Sequence, residues 1–200
     1  MKSQVIALFL FLALVITPAA HAESNRFGIK GGVNVSDQSI IYNGNSLNTS
    51  AYTGFHAGIL YKIELPRSLG VQAEVLYSQK GSFYKTGNSQ VKNRFDYLDI
   101  PLYLRWTLGL PLVKPYAGAG PYVAFPLNMK VRGTDSSSKW ANTGFNDSDF
   151  GIGATLGVDV FDRLQVSLNY QWGLRNIYSG TYDVKTRNQN LGISVGFLLF

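Results

Sequence analysis

The chain has 200 residues, a formal net charge of +6 and no cysteine, and 46% of its residues are hydrophobic. The lack of cysteine excludes a disulfide framework, a lipid-modified N-terminal cysteine and a thiol nucleophile. The excess of basic over acidic residues is small, and the sequence contains no run of lysine or arginine. We therefore expect no nucleic-acid partner.

The first 22 residues have the organisation of a secretory signal peptide. Lys2 precedes an unbroken apolar run over 5–16, and Ala20-His21-Ala22 fits the small-x-small cleavage pattern. The alternative, an uncleaved membrane helix, is disfavoured because about 12 apolar residues are too few to span a bilayer core of roughly 30 Å. We therefore predict cleavage after Ala22 and a single mature domain over residues 23–200.

Eight stretches of alternating apolar and polar residues follow the cleavage site. Long polar loops alternate with short turns between consecutive stretches. This alternation places all long loops at one end of the structure. This pattern predicts an all-β fold, an eight-stranded antiparallel up-and-down transmembrane β-barrel. The predicted strands are 26–37, 50–65, 70–83, 95–108, 114–131, 148–161, 163–178 and 188–200, with long loops at 38–49, 84–94, 132–147 and 179–187.

Each predicted strand has an apolar face and a polar face. In the third strand Val71 and Val75 share one face, whereas Gln72, Glu74 and Ser78 share the other. A secreted β-sandwich or a lipocalin-like barrel of inverse polarity also shows such alternation. Aromatic residues on the apolar parity fall near strand ends, as at a membrane interface, and favour the membrane barrel. These aromatic residues are Phe27, Tyr61, Tyr77, Trp106, Phe125, Phe150, Phe161, Trp172 and Phe200.

Residues on the polar face of each predicted strand line the interior of the barrel. Side chains just fill an eight-stranded barrel, so buried acids and bases need partners there. We predict a lumen polar network that contains Glu74, Asp99, Arg105, Asp159 and Arg175.

The positions of glycine and proline lead to two further predictions about the strands. Inward glycines at 118, 120, 151, 153 and 157 make room for tyrosine and arginine side chains opposite. Pro101 and Pro121 lie inside predicted strands, where a missing N–H indicates a β-bulge.

Several segments resemble one known family. They are Tyr97-Leu98-Asp99-Ile100-Pro101-Leu102, the run from Lys114 to Tyr122, the segment Gly173-Leu174-Arg175-Asn176 and the opening run from Gly28 to Asn34. In order and spacing they resemble the PorT-like outer-membrane β-barrel family. The resemblance implies a bacterial outer-membrane barrel with periplasmic termini, and Phe200 is similar to the sorting signal that the barrel-assembly machinery reads. It implies no activity, because the family is defined by fold.

The sequence gives little support for catalysis. His56 is the one histidine outside the signal, and the polar residues that the pattern brings near it are Tyr52, Ser78 and Glu74. We interpret His56 as a packed interior residue, because a catalytic histidine needs an orienting group and a nucleophile within about 3 Å. No Asp-x-Asp-x-Asp-Gly spacing occurs, so we predict no metal site, no cofactor and no enzymatic activity.

The long loops are the expected site of any specific recognition. Trp140, Phe145 and Tyr182 are the candidate loop contacts, and basic loop residues suit the phosphates of lipopolysaccharide. The leading hypothesis is a non-enzymatic barrel that acts in envelope integrity or surface interaction, with outer-membrane lipids and a possible protein partner. The alternatives are an accessory subunit of a secretion or uptake complex and a lipid-modifying barrel enzyme.

Overall fold

A computed structural model describes residues 24–42, 45–47, 50–86, 89–132, 148–175 and 184–199. These residues form nine β-strands, and every pairing between strands is antiparallel. The strands are β1 (Ser24–Tyr42), β2 (Asn45–Leu47), β3 (Ser50–Glu64), β4 (Leu69–Thr86), β5 (Ser89–Thr107), β6 (Val113–Arg132), β7 (Asp149–Val160), β8 (Leu164–Gly173) and β9 (Val184–Leu198).

The sheet closes on itself to form a barrel. Eight strands follow one another around the wall in the order β1-β3-β4-β5-β6-β7-β8-β9, and β9 pairs with β1 from Gly28↔Leu198 to Tyr42↔Val184. Among the described residues, the three-residue β2 pairs only with the far end of β1. Closure leaves no open sheet edge within the wall, as the alternating sequence predicted.

Four strands, β1, β4, β5 and β9, run further than predicted at the loop end of the barrel, whereas β8 ends earlier than predicted, at Gly173. The predicted loop 84–94 is wrong, because β4 and β5 continue as a hairpin to the pair Thr86↔Ser89. Parts of two other predicted loops are also strand, since β1 extends to Tyr42 and β9 begins at Val184. In these four strands cross-strand hydrogen bonding continues past the apolar stretch, so the alternation of side chains marked the membrane-facing part of the strand rather than its end.

The opposite end of the barrel carries short turns at 65–68, 108–112 and 161–163. Phe161 and Asp162 have φ of 51° and 57°, and the Arg163 N–H donates to the Val160 carbonyl at 3.1 Å. Two consecutive positive φ values give the turn a twist that matches the strands it joins. Arg67 and Ser68 adopt the same left-handed conformation, with φ of 64° and 65°.

The prediction of β-bulges at Pro101 and Pro121 is wrong. The pairing of β5 with β4 and with β6 keeps one register across Pro101, and β6 keeps its register with β7 across Pro121. The irregularity between β5 and β6 lies instead at Asp96/Tyr97, opposite Pro126. Proline can therefore occupy a position in a closed wall without shifting the strands.

Alternating residues face the interior and the surroundings. Along β7 the side chains alternate between buried and exposed from Asp149 onward, and Ile152 and Leu156 are 52% and 58% exposed. Trp106 and Phe161 lie exposed near the short-turn end, whereas Phe150 and Trp172 lie exposed near the loop end. The exposed face is apolar with aromatic residues near both ends, which is the pattern of a membrane-embedded barrel.

No helix in the described ranges is long and apolar enough to cross a membrane.

Candidate functional site in the barrel interior

Two buried ion pairs lie in the middle of the barrel interior. Lys30 on β1 contacts Glu74 on β4, with 2.7 Å between Nζ and Oε1. Lys80 on β4 contacts Asp99 on β5, with 2.7 Å between Nζ and Oδ2. All four side chains are at most 2% exposed. Buried charges of this kind need partners, because the desolvation of an unpaired ion costs several kcal/mol.

A third cluster centres on Asp159 of β7. Its Oδ2 accepts from Lys62 Nζ and from Arg105 Nη2, each at 2.9 Å. Arg105 also donates to Gln72, and its guanidinium carbon lies 3.4 Å from the ring centroid of Tyr116. One carboxylate thus ties β3, β5 and β7 together across the lumen.

Amide side chains of β8 extend these pairs. Lys80 Nζ donates to Gln171 Oε1 on β8 at 2.9 Å, and Lys30 Nζ reaches Asn169 Oδ1, also on β8, at 3.4 Å. Gln165 donates to Asp159 Oδ1 at 3.0 Å. These hydrogen bonds give Lys30, Lys80 and Asp159 further partners beside their ion pairs, and such partners stabilise buried charges.

His56 lies in a directed chain of hydrogen bonds. Its Nδ1 is 2.8 Å from Asn34 Oδ1, and its Nε2 is 2.8 Å from Ser194 Oγ. Asn34 donates its amide to Ser78 Oγ, which leaves Oδ1 to accept from the imidazole N–H. Ser194 Oγ accepts from Asn169 Nδ2 at 2.8 Å and donates its own proton to Nε2. Serine, histidine and an orienting asparagine therefore stand in the order of a catalytic triad.

Sequence reasoning missed this arrangement. Asn34 and Ser194 belong to β1 and β9, the first and last strands, which meet only when the barrel closes. Register between β1 and β9 pairs Asn34 with Gly192 and places Ser194 opposite Gly32. The alternating pattern indicated that these residues face the interior, but the sequence does not show the register in which β9 pairs with β1.

An aromatic cluster fills the interior near the loop end. Phe95, Tyr97, Tyr122 and Ala124 pack together, and Lys80 Nζ lies 5.4 Å from the Tyr97 ring centroid and 5.3 Å from that of Tyr122. A cation over two ring faces adds to the stability of the buried lysine.

Asp149 lies beside the same cluster and is only 1% exposed. Its Oδ2 accepts from Asn188 Nδ2 at 2.9 Å and from the Tyr122 hydroxyl at 3.3 Å. The sequence alone did not identify this carboxylate as an interior residue.

Glycines on β7 make room for large side chains, as the sequence predicted. A Cβ at Gly151 would lie 2.6 Å from Tyr122 Cε1, at Gly153 3.0 Å from Tyr103 Cε1, and at Gly157 2.6 Å from the Tyr116 hydroxyl. The missing side chains leave room for Tyr116 and Tyr122, the register partners of Gly157 and Gly151 on the neighbouring strand β6, and for Tyr103 of β5.

An open vestibule of about 190 Å³ leads into the interior at the short-turn end. Glu64, the last residue of β3, lines it with Lys62 and Arg105. The exposed or half-exposed outward positions of β3 in its apolar band run from Phe55 to Tyr61, whereas Ile63 is buried, so Glu64 lies three residues beyond this band, outside the membrane-spanning part. Burial raises the pKa of Glu64, but hydrogen bonds from Lys62 and Ser24 outweigh it and lower the pKa from 4.5 to about 2.

The middle of the lumen holds a cavity of about 20 Å³. His56, Glu74, Asp99, Asn190 and Ser194 are among its lining residues. A space of this size holds about one water molecule.

Four of the five predicted network residues meet in the interior. Glu74 and Asp99 each have a lysine partner, and Arg105 contacts Asp159. Arg175 does not join them, and its predicted place in the lumen is wrong, because β8 ends at Gly173. It is exposed, and its Nη1 donates to Ser148 Oγ at 2.6 Å.

The predicted loop contacts Trp140, Phe145 and Tyr182 lie outside the described residues, as does Phe200. Within the described residues, no three His, Cys, Asp or Glu side chains come together in a way that could hold a metal ion.

A closed antiparallel barrel with a charged interior, an apolar exterior and aromatic residues near both ends defines the class of outer-membrane β-barrels. The sequence matches the family described as "Outer membrane protein beta-barrel domain" over residues 21–179. The chain belongs to this family.

Solved structures of outer-membrane barrels are similar to this chain in fold. OprG from Pseudomonas aeruginosa matches with a TM-score of 0.56 at 16% identity, over 90% of this chain and 97% of that one. Ail of Yersinia pestis, in complex with the heparin analogue sucrose octasulfate, matches with a TM-score of 0.47 at 13% identity, over 88% and 99%. Neisserial surface protein A matches with a TM-score of 0.47 at 18% identity, over 88% and 99%. At these identities the likeness to OprG shows the fold alone, and no curated protein matches the chain.

Proposed function

We propose that this chain is a non-enzymatic integral barrel of the bacterial outer membrane whose lumen is plugged by its own side chains. The observation that carries the proposal is the set of buried ion pairs that cross the interior, Lys30–Glu74, Lys80–Asp99 and Asp159 with Lys62 and Arg105. The cavity between them has room for about one water molecule, which is too little for a hydrated ion. On this proposal the barrel serves envelope integrity or surface interaction and does not serve as a general pore.

Conductance of the purified mature chain in planar lipid bilayers tests the plug. We expect no stepwise ion current from the wild type. Removal of one pair as a unit, Lys80→Ala with Asp99→Ala, empties volume without leaving an unpaired charge and should open a measurable current. The matched control, Lys114→Ala with Asp162→Ala, removes a 2.7 Å ion pair at the short-turn end and should remain closed. Steady current through the wild type would contradict the proposal.

The orientation and processing of the chain belong to the same proposal. We place the short turns and both termini in the periplasm and the loop end outside the cell, with the signal cleaved after Ala22. Membership of the PorT-like group within the wider family is part of this proposal and rests on the motifs around Tyr97 and Lys114. N-terminal sequencing of the protein from outer membranes tests the cleavage, and a start other than Glu23 would contradict it.

The proposed partners are outer-membrane lipids and lipopolysaccharide, the barrel-assembly machinery during insertion, and a surface partner for the loops. A pull-down from native membranes with tagged full-length protein distinguishes a lone barrel from an accessory subunit of a secretion or uptake complex. A stoichiometric complex would favour the subunit, and a clean monomer would favour the lone barrel.

A second candidate function is acyl transfer, because Ser194, His56 and Asn34 stand in nucleophile, base and orienter order at 2.8 Å spacings. Against it, Ser194 is 1% exposed and the adjoining cavity of about 20 Å³ cannot admit an acyl chain. Mass spectra of lipid A from cells that carry Ser194→Ala decide between the two. We expect spectra identical to the wild type, and a loss of a lipid A modification at unchanged barrel abundance would establish the enzyme.

A further inference from the structure

The short turn 108–112 between β5 and β6 contains no polar or charged side chain. It reads Leu-Gly-Leu-Pro-Leu, and its three leucines are 43%, 51% and 61% exposed. The other two described short turns each carry an exposed arginine, Arg67 and Arg163. Exposed apolar side chains that are grouped in this way mark a surface that meets a partner or a membrane.

The turn between β7 and β8 adds an aromatic side chain to the same surface. The Phe161 N–H donates to the Leu112 carbonyl oxygen at 2.9 Å, and the Phe161 side chain is 68% exposed. Val113, which follows Leu112, is 42% exposed. The backbone hydrogen bond therefore joins the two turns into one apolar surface. We call the three leucines of the β5–β6 turn, Val113 and Phe161 the apolar rim.

The apolar rim continues the lipid-facing surface of the wall. The Leu108 N–H donates to the Pro115 carbonyl oxygen at 2.8 Å, which extends the pairing of β5 with β6 by one residue. Leu108 therefore shares the outward parity of Trp106, which is 52% exposed. Tryptophan on an outer barrel face is typical of the membrane interface. The apolar surface thus runs past the interfacial aromatic residue on this side of the barrel.

The wall on the opposite side ends differently. β1 lies four strands from β6 in either direction around the barrel. Phe27 on β1 pairs with Tyr61 on β3, and the next outward residue of β1 toward its end is Asn25, which is exposed. Its partner Ile63 is buried. On this side the apolar surface stops at the aromatic pair.

The charged residues beside the rim are held at the mouth of the barrel. Lys114 follows Val113 and Asp162 follows Phe161, and the two charges pair with 2.7 Å between Nζ and Oδ1. Lys114 also lines the vestibule, and Arg26 of β1 donates to the Asp162 carbonyl oxygen at 2.7 Å. These contacts direct both charges inward and leave Val113 and Phe161 exposed on the outside.

We propose that the apolar rim is immersed in the acyl chains of the adjacent membrane leaflet, so that the β5–β7 side of the barrel lies deeper than the β1 side. The occupant is lipid rather than a protein, because the rim extends a surface that already faces lipid. An apolar surface that exceeds the local hydrocarbon thickness is accommodated by tilting. The rim therefore acts as a lipid anchor that tilts the barrel, whichever side of the membrane the short turns face.

Quenching of a fluorophore attached to single cysteines measures the immersion. The natural chain has no cysteine, so Leu112→Cys and the matched turn control Arg67→Cys each carry one nitrobenzoxadiazole label. The full mature chain is folded into phosphatidylcholine nanodiscs, which leave both ends of the barrel open to the solution. The quenchers are iodide in the water and phosphatidylcholine with a nitroxide on the upper part of its acyl chain. The gel mobility of the folded barrel checks each variant.

We expect the nitroxide lipid to quench the label at position 112 and iodide to lose its effect there, whereas iodide quenches the label at position 67. Phe161→Asp in the Leu112→Cys background should restore quenching by iodide, and the matched Arg163→Asp should not. Aspartate is used because the stem of a lysine would still pack on acyl chains while its ammonium reaches the headgroups.

Equal quenching of both labels by iodide in a folded barrel would overturn the inference, since the rim would then be a water-exposed surface open to a soluble protein. Protection of both labels from iodide would also overturn it, because the fluorophore and not the rim would then be seeking the membrane. The readout is separate from conductance. A conducting barrel would contradict the proposed plug and leave the quenching unchanged.

Discussion

Lys30 and Glu74 form an ion pair across β1 and β4, with 2.7 Å between Nζ and Oε1 and 1% exposure of each side chain. Lys30→Met leaves the Glu74 carboxylate buried with only amide donors, so we expect a loss of about 3–5 kcal/mol of stability. Urea unfolding of the reconstituted barrel, followed by tryptophan fluorescence, measures the change.

The double variant Lys30→Met with Glu74→Leu provides the control for that prediction. Replacement of a buried ion pair by apolar side chains of similar volume is often neutral, so we expect it to recover most of the lost stability. A double variant as unstable as Lys30→Met alone would show that the pair acts through shape and not through charge.

A charged side chain on the lipid-facing surface should destabilise the barrel. Val75 on β4 is 39% exposed at a mid-strand outward position, so Val75→Lys should cost about 2–4 kcal/mol and reduce assembly. Leu102, also at an outward position, is only 6% exposed and is the less direct test. Leu110→Lys, in a short turn where Leu110 is 51% exposed, is the matched control and should change stability by less than about 0.5 kcal/mol.

The glycine at position 157 should tolerate no side chain. A Cβ there would overlap the Val166 carbonyl oxygen and lie 2.6 Å from the Tyr116 hydroxyl, so Gly157→Ala should cost about 1–3 kcal/mol. Gly31→Ala is the control, because a Cβ at Gly31 meets only the His56 carbonyl oxygen at 3.6 Å. Equal unfolding midpoints for the two variants would contradict the packing of tyrosines over β7.

Glu64 should make the barrel acid-sensitive in one pH window. Its pKa is lowered from 4.5 to about 2, so its stabilising contribution is complete above pH 5 and is lost as the pH falls toward 2. We expect Glu64→Gln to unfold more easily than the wild type at pH 7 and equally at pH 2. A stability difference that is constant from pH 7 to pH 2 would assign Glu64 a role other than its charge.

The strand faces could be predicted from the sequence because period-two alternation follows directly from the pleat. The interior positions of Glu74, Asp99, Arg105 and Asp159 follow from that alternation alone. The lumen position predicted for Arg175 was wrong because alternation gives no signal for the place where hydrogen bonding stops, here after Gly173.

Contacts between distant strands could not be predicted from local pattern. His56 meets Asn34 and Ser194 because closure sets the register of β9 against β1. A one-residue difference in that register would move Ser194 to the outer face.

The chemical accessibility of single cysteines in the membrane-embedded barrel distinguishes its two faces. The natural sequence contains no cysteine, so Val75→Cys and Ser78→Cys each introduce one thiol, on the 39% exposed outer face and on the 1% exposed inner face of β4. We predict that a lipid-soluble maleimide labels the thiol at position 75 rapidly, and that neither this reagent nor a water-soluble maleimide labels the thiol at position 78 until the barrel is unfolded. Rapid labelling at position 78 by the water-soluble reagent in the folded protein, with protection at position 75, would contradict a barrel with hydrocarbon outside and packed charge inside.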